Sequence, residues 1–329
     1  MLLAGDVGGT TTRLGLFTAD PARPSPIHTR DFTTLDYAGL DAMIVELIRD
    51  APRRSFIAAA CFGVAGPVLG GSARLTNVPW SVDAAALSRR FGIGRVALLN
   101  DLEAMSYAVS VLQPDELVTL QAGEPRRSGN AALIAAGTGL GEALLHNIDG
   151  RFVAAASEAG HADFAARTAR ELDLVQALSQ TLGRVRLEDV LSGPGLVNIH
   201  RVVHDDAACS AVDSAAQAEH RPAQISAAAL DRRCPACVET MDLFASAYGA
   251  EAGNLALRSA ATAGLYVGGG IARRILPALE SGPFMQAFLD KAPMTALLAA
   301  IPVKIILHPQ PGLLGASAFA SALPVSGLG

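Results

Sequence analysis

The stretch Gly5-Asp6-Val7-Gly8-Gly9-Thr10-Thr11-Thr12 constrains this chain more than any other. Leu2-Leu3-Ala4 leads in as an apolar run and Leu14-Gly15-Leu16-Phe17 leads out as another, so residues 1–17 read as strand, tight turn, strand. Gly8-Gly9 opens backbone conformations closed to residues with a Cβ, and brings successive N–H groups and the hydroxyls of Thr10 to Thr12 toward anything seated over the bend. Such a bend cradles phosphate oxygens. Asp6 at the end of the first strand would repel a bound phosphate unless a cation such as Mg²⁺ lay between them, which makes a metal-nucleotide the natural guest. The competing reading of these residues alone is a glycine hairpin with a solvated Asp.

A second bend of the same kind follows in the middle of the chain. Residues 131–136 form an apolar strand, Gly137-Thr138-Gly139-Leu140-Gly141 a glycine-threonine turn, and residues 142–145 a second strand. Two such hairpins facing each other across a cleft can hold a polyphosphate from both sides. Neither is a dinucleotide fingerprint, because each opens a hairpin and not a helix. A third glycine bend, Gly268-Gly269-Gly270, stops the strand 265–267 ahead of a helix predicted over 271–279.

At 329 residues the chain exceeds the size at which one core keeps growing, so two domains are expected, with a boundary around Pro114 and the polar stretch 124–130. Between the bends, helices are predicted over 38–51, 83–91, 102–112, 168–182 and 235–261, and buried strands over 56–64, 96–99 and 303–307. Residues 187–195 read as a short helix ended by Gly and Pro, and 205–224 as a polar, alanine-rich insertion. Half of the residues are apolar and net charge is −5, with no Lys or Arg run longer than a pair. Nucleic acid and anionic membranes are therefore poor partners. The first apolar run breaks at Asp6 with no basic segment before it, and the most apolar window, 255–266, is short and holds Arg258, so a cytoplasmic protein is expected. Four cysteines form no disulfide framework. Cys234-Pro235-Ala236-Cys237 is a CxxC, but one pair with no second pair or neighbouring His in the sequence argues weakly for metal.

Three polar sets carry candidate chemistry. Asn100-Asp101 lies where a buried strand meets a helix, the sheet edge at which ligands bind in α/β proteins. An Asp there can take a proton from a substrate hydroxyl while Asn fixes its direction, or it can simply cap the helix. Glu158 and His161 flank Gly160 in a segment too polar for core, a ligand site or a salt-linked loop pair. Glu188 beside Asp189 reads by itself as a solvated charge.

Taken together these segments resemble the bacterial glucokinase family, hexokinase relatives among the actin-like, ribonuclease-H-like ATPases. The resemblance rests on residues 3–10, Gly63-Val64-Ala65-Gly66-Pro67, Thr76-Asn77-Val78-Pro79-Trp80, Asn100-Asp101, Ala136-Gly137-Thr138-Gly139-Leu140-Gly141, Gly160-His161-Ala162-Asp163-Phe164, Leu191-Ser192-Gly193-Pro194-Gly195-Leu196-Val197-Asn198, Val267-Gly268-Gly269-Gly270-Ile271 and Pro311-Gly312-Leu313-Leu314-Gly315, in family order from end to end. It implies a two-domain α/β fold of the actin-like type with a cleft between domains. The C-terminal helix would return to the first domain, giving 1–112 plus 313–329 and 113–312.

The resemblance further implies Mg²⁺·ATP-dependent phosphorylation of glucose to glucose 6-phosphate by a cytoplasmic homodimer. Asp101 would be the general base, with Asn77, Asn100, Glu158, His161 and Glu188 as further sugar ligands. Gly8, Gly9, Thr10 and Thr11 with Gly137 and Thr138 would form the two phosphate hairpins, Gly268, Gly269 and Gly270 the adenosine edge, and Asp6 would hold Mg²⁺ through water. Alternatives on the same fold are a kinase of fructose or mannose and a non-catalytic sugar sensor. Ala159 stands where the family's Glu-Gly-Gly-His motif has a glycine, a change expected to shift Glu158 and His161, and Thr11 stands where Asn or Lys is common. Related repressor/kinase sugar kinases carry a cysteine-rich zinc motif that Cys234 and Cys237 do not reproduce.

Overall fold

The computed structural model describes residues 1–51, 56–75, 78–205, 207–213 and 217–323. They form two compact units, Met1–Pro114 together with the segment from His308, and Asp115–Leu307.

In the first unit the opening hairpin pairs β1 (Leu2–Val7) with β2 (Thr11–Phe17), and β3 (Pro26–Thr33) extends it. β4 (Ala59–Val64) is buried along its whole length, as an unbroken apolar run requires of a strand covered on both faces. After the small sheet β5 (Val68–Leu69), β6 (Ser72–Arg74) and β7 (Ser81–Asp83) comes β8 (Val96–Asn100). Among the described residues the main sheet runs β3-β2-β1-β4-β8. The parallel register aligns Val7 with Val64 and Val64 with Asn100, so Asp6, the Gly8 turn and Asn100 share one carboxyl edge.

Three helices pack on this sheet, α1 (Leu40–Asp50), α2 (Ala84–Phe91) and α3 (Asp101–Ala108), together with the C-terminal helix Pro311–Ala322. Small residues let α3 approach closely. A Cβ on Gly315 of the C-terminal helix would lie 1.8 Å from the Ala104 carbonyl, and one on Gly63 of β4 2.6 Å from the Ala104 Cβ. The ring centroids of Tyr107 and Phe319 stand 4.7 Å apart over the same contact. The start of α3 is thereby fixed against both the sheet and the last helix.

In the second unit the strands are β9 (Leu117–Gln121), β10 (Ala131–Ala136), β11 (Leu140–Ile148), β12 (Arg151–Ser157), β13 (Gly264–Gly268) and β14 (Val303–Ile306), ordered β12-β11-β10-β13-β14-β9 among the described residues. The helices are α4 (Ala169–Leu182), α5 (Gly193–Val203), α6 (Arg221–Leu230), α7 (Pro235–Ser259), α8 (Gly269–Arg274), α9 (Leu276–Glu280), α10 (Pro283–Leu289) and α11 (Thr295–Ala300). α7 is the spine. It buries Met241, Phe244, Tyr248 and Leu255, and Gly249 admits the α10 backbone, where a Cβ would meet the Phe284 carbonyl at 1.9 Å.

Several sequence expectations need correction. Gly193-Pro194-Gly195 opens α5 and does not end a helix: Ser192 Oγ caps it by accepting from Gly195 N at 3.0 Å, and Pro in a first turn loses no bond because that N–H has no partner. β9, α10 and α11 were not anticipated, because each is short and lacks a long apolar period. The helix expected over 271–279 is two helices parted at Ile275. Arg221, expected within an insertion, begins α6; parts of that insertion, residues 206 and 214–216, lie outside the described residues, as do Thr76 and Asn77.

One buried ionic cluster ties the second hairpin to α7. Glu142 on β11 lies 3.0 Å from Arg258 Nη2, and Arg258 also pairs with Glu251. Among the described residues Glu142 Oε1 is buried without a hydrogen-bond partner. Burial first, then the charge of Glu251, raises the Glu142 pKa to about 8 from 4.5, against the pull of Arg258. A carboxyl whose pKa is raised by folding stabilises the fold below its unfolded value and loses that contribution as pH rises through the folded value. Stability should therefore fall between these two values, by at most about 1.4 kcal/mol per pH unit from this group. Glu142→Gln is expected to flatten the dependence of Tm on pH between about pH 5 and about pH 8; parallel curves for variant and parent would contradict this.

Candidate functional site

In the first unit the turn after β1 is tied down from below. Gly8 N donates to Thr11 O at 3.1 Å, and Thr34 Oγ1 donates to Gly8 O at 2.8 Å. The Thr12 hydroxyl, expected to face a ligand with Thr10 and Thr11, is instead buried and bonded to Thr34 Oγ1 at 2.9 Å. Thr10 and Thr11 remain exposed above it. Gly8 serves by size and not by φ: it adopts no left-handed conformation, but a Cβ there would lie 2.8 Å from Thr11 O. Thr34 is a residue that sequence reasoning missed, since nothing local marks a threonine that staples a turn twenty-odd residues away.

Asp6 projects from the end of β1 toward the first turn of the C-terminal helix, where a Cβ on Gly312 would come within 3.0 Å of its Oδ2. Burial raises its pKa against the attraction of Arg13. Among the described residues no hydrogen-bond donor reaches its carboxylate. A desolvated carboxylate short of donors suits a hard cation with its own waters, so the residues present fit Mg²⁺.

Two strands away, at the end of β8, Asn100 and not Asp101 caps α3. Its Oδ1 accepts from Leu102 N at 2.9 Å, its N–H donates to Glu103 Oε2 at 3.4 Å, and its Nδ2 donates to Gly66 O at 3.4 Å. The cap position that would have given Asp101 a purely structural explanation is thus filled by its neighbour. Asp101 is the first helical residue, half-buried, and accepts from Leu102 N through Oδ1 at 2.9 Å. Asn100 keeps one amide N–H beyond its structural bonds. Asn77 lies outside the described residues.

In the second unit the turn Gly137-Thr138-Gly139 stands at the carboxyl end of β10, closed by Gly137 N donating to Gly139 O at 2.8 Å. Gly193 N donates to Gly137 O at 2.8 Å, which sets the start of α5 beneath the turn. The neighbouring end of β13 carries Gly268, Gly269 and Gly270. Gly269 has φ +87° and a Cβ there would lie 2.3 Å from Ala136 O, so only glycine serves. The two glycine bends therefore sit side by side on one sheet edge.

Glu158, His161 and Glu188 meet at that edge. His161 Nδ1 is 3.2 Å from Glu188 Oε1 and Nε2 is 3.9 Å from Glu158 Oε2. Arg186 Nη1 also lies 3.4 Å from His161 Nδ1, so that nitrogen has a partner in either tautomer. Glu188 reaches the phosphate-type turn itself, since a Cβ on Gly139 would lie 3.0 Å from its Oε2. It is held there by Arg186, also missed from sequence. The guanidinium touches Glu188 Oε1 at 2.7 Å and is locked on Asp189 by Nη2 to Oδ1 at 2.7 Å and Nε to Oδ2 at 3.1 Å. From the other side Ser192 Oγ donates to Glu188 O at 2.6 Å. Side-chain exposure is 70% for Glu158, 53% for His161 and 21% for Glu188, so all three are open to a ligand and Glu188 is the most firmly held.

Ala159 sits without backbone strain. Ala159-Gly160-His161 form one 3₁₀ turn in which Ala159 has no left-handed φ. The position that requires glycine is Gly160, where a Cβ would meet Leu140 O at 2.2 Å.

Known proteins match along the whole chain. The family profile described as Glucokinase matches residues 3–323. A glucokinase from Nostoc punctiforme is 37% identical over 340 aligned residues, covering 98% of this chain and 99% of that protein. The crystal structure of a glucokinase from an Antarctic psychrotroph superposes with a TM-score of 0.83 at 29% identity, over 97% of this chain and 98% of that one. A ROK family glucokinase from Streptomyces griseus, solved in complex with glucose and AMPPNP, shares the fold with a TM-score of 0.67 at 20% identity, over 97% and 98% of the two chains. The α/β architecture is that of the actin-like ATPases, as the sequence implied.

Proposed function

The chain belongs to the glucokinase family, and from that premise we propose how its residues carry out the reaction. The enzyme transfers the γ-phosphoryl group of ATP to glucose, giving glucose 6-phosphate and ADP. The observation that carries the reading is the meeting of the hydroxyl-binding set Glu158, His161 and Glu188 with the Gly137 turn on one sheet edge, so that sugar and phosphate ligands belong to one site.

Asp101 accepts the proton of the 6-hydroxyl as that oxygen attacks phosphorus, and Asn100 aligns the hydroxyl with its remaining amide N–H. Glu158 and Glu188 accept from sugar hydroxyls, and His161 presents Nε2 to a further one. Asn77 joins this set. The transferring group passes through a state with spread negative charge, so positioning and electrostatics do most of the work. The Gly8-Gly9-Thr10-Thr11 bend and the Gly137-Thr138 bend offer N–H and hydroxyl donors to phosphate oxygens, and the Gly268 to Gly270 bend takes the adenosine. Asp6 would hold Mg²⁺ through water, an ion that neutralises phosphate charge when bound.

Exclusion of water from the bound substrates keeps it from competing as acceptor. Cytoplasmic residence fits the use of ATP, and a homodimer fits the family resemblance. Among the described residues no helix is long and apolar enough to cross a membrane.

A coupled assay of ADP release across a sugar panel tests the substrate. Glucose is expected to give the highest kcat/KM, with analogues lacking one recognised hydroxyl down by roughly 10⁴-fold. Preference for fructose or mannose would move the assignment to another hexose, and no turnover with any sugar would make the protein a sensor.

A further inference from the structure

The second unit holds a cluster of sulfur and imidazole groups that phosphoryl transfer does not use. The sequence set the CxxC aside for want of a neighbouring His or a further Cys, and folding supplies both. His204 ends α5, Cys209 lies in the connection that follows, Cys234 is the residue before α7, and Cys237 sits in the first turn of α7. Cys209 Sγ lies 3.8 Å from Cys234 Sγ and 3.7 Å from Cys237 Sγ. His204 Nε2 lies 3.6 Å from Cys234 Sγ and 4.0 Å from Cys237 Sγ.

These separations fit a tetrahedron around one ion. With Zn–S of about 2.3 Å and Zn–N of about 2.0–2.1 Å, a tetrahedral zinc spaces its sulfurs about 3.8 Å apart and its sulfur and nitrogen about 3.6 Å apart. A disulfide would need two sulfurs at about 2.05 Å, and all four cysteines are free. His200, one turn before His204, stacks on it with ring centroids 4.2 Å apart, and a ligand nitrogen of His200 lies within 4.8 Å of the ligand atoms of His204, Cys209 and Cys237.

We propose that Cys209, Cys234, Cys237 and His204 bind one Zn²⁺ in a closed, structural site. Three thiolates and an imidazole select a borderline-soft ion such as zinc over Mg²⁺. Four protein ligands leave no open position for substrate, so the ion serves architecture. It ties the end of α5 and the connection after it to the start of α7. His204 takes the fourth position because its Nε2 approaches two of the sulfurs, while His200 packs behind it.

The test is metal analysis of the full chain, expressed with zinc and purified under reducing conditions without chelator. About one zinc per chain is expected. Cys209→Ser and His204→Ala should each lower it at least tenfold, whereas Cys61→Ser and His200→Ala should retain it. Stripping the ion should lower Tm while Asp101-dependent turnover persists in the surviving folded fraction. Because a variant may fail for want of folding, the parent chain loaded with Co²⁺ gives an independent reading: thiolate-to-cobalt charge transfer with the strong visible bands of tetrahedral cobalt. A metal-free parent chain, an octahedral cobalt spectrum, zinc content unmoved by Cys209→Ser, or a Cys234–Cys237 disulfide in the isolated protein would each overturn the site.

Discussion

Asp101→Ala is expected to lower kcat for glucose phosphorylation by roughly 10²- to 10⁴-fold, the range that a positioned general base supplies. KM for ATP and the affinity for glucose should change little, because the rest of the sugar set and the second phosphate bend lie on other residues. Fold stability should also change little. The cap of α3 is Asn100, and the favourable interaction of the neighbouring carboxylate with the helix start is worth about 0.3–1 kcal/mol. Asp101→Asn, which keeps size and loses basicity, should fall as far. A variant with unchanged turnover would remove Asp101 from the mechanism. One with lost turnover and an equally large loss of Tm would mean that its role is structural.

Gly160→Ala is the second large effect. The added methyl would meet the Leu140 carbonyl at 2.2 Å, and that carbonyl belongs to the first residue of β11, which cannot yield without moving the Gly137 turn. Overpacking of this kind costs about 1–3 kcal/mol. The displaced backbone carries Glu158 and His161 on either side, and a misplacement of about 1 Å in a positioning group can cost on the order of 10²-fold. The loss in kcat/KM for glucose should therefore exceed the loss in stability. Ala159→Gly, which restores the family's usual residue, should leave KM for glucose within about twofold and stability within about 0.5–1 kcal/mol. Steady-state kinetics beside thermal melts separate the two; a larger effect at residue 159 than at 160 would contradict the assignment.

The contrast between these two neighbours shows what was legible in the sequence. The Gly-Thr bends could be read because glycine, threonine and flanking apolar runs state the local geometry directly. Asn100-Asp101 could be read as a strand-helix junction, but which of the two serves as cap is decided by contacts to Gly66 and Glu103. Ala159 appeared to threaten the site because a motif counts residues, whereas the need for glycine is set by Leu140, a partner twenty residues earlier. Thr12 was expected to face the ligand because alternation in a turn is not fixed until a partner such as Thr34 claims one side. Arg186 and the contacts of Cys209 and His204 with Cys234 and Cys237 escaped for the same reason: their meaning lies in groups that only the fold brings near. The edge strand β9 is short and only half-buried, and Leu117, Val118 and Leu120 are too few to set it off from the loop around it.

The account turns on one transfer, from ATP to the 6-hydroxyl of glucose. Locating the phosphate on the product tests it most directly. ³¹P and ¹³C spectra of the sugar formed from glucose and Mg²⁺·ATP should show a phosphomonoester at C6 alone, with one ADP released for each sugar phosphorylated. Phosphate at the anomeric carbon, or ADP released with no phosphorylated sugar, would contradict the account.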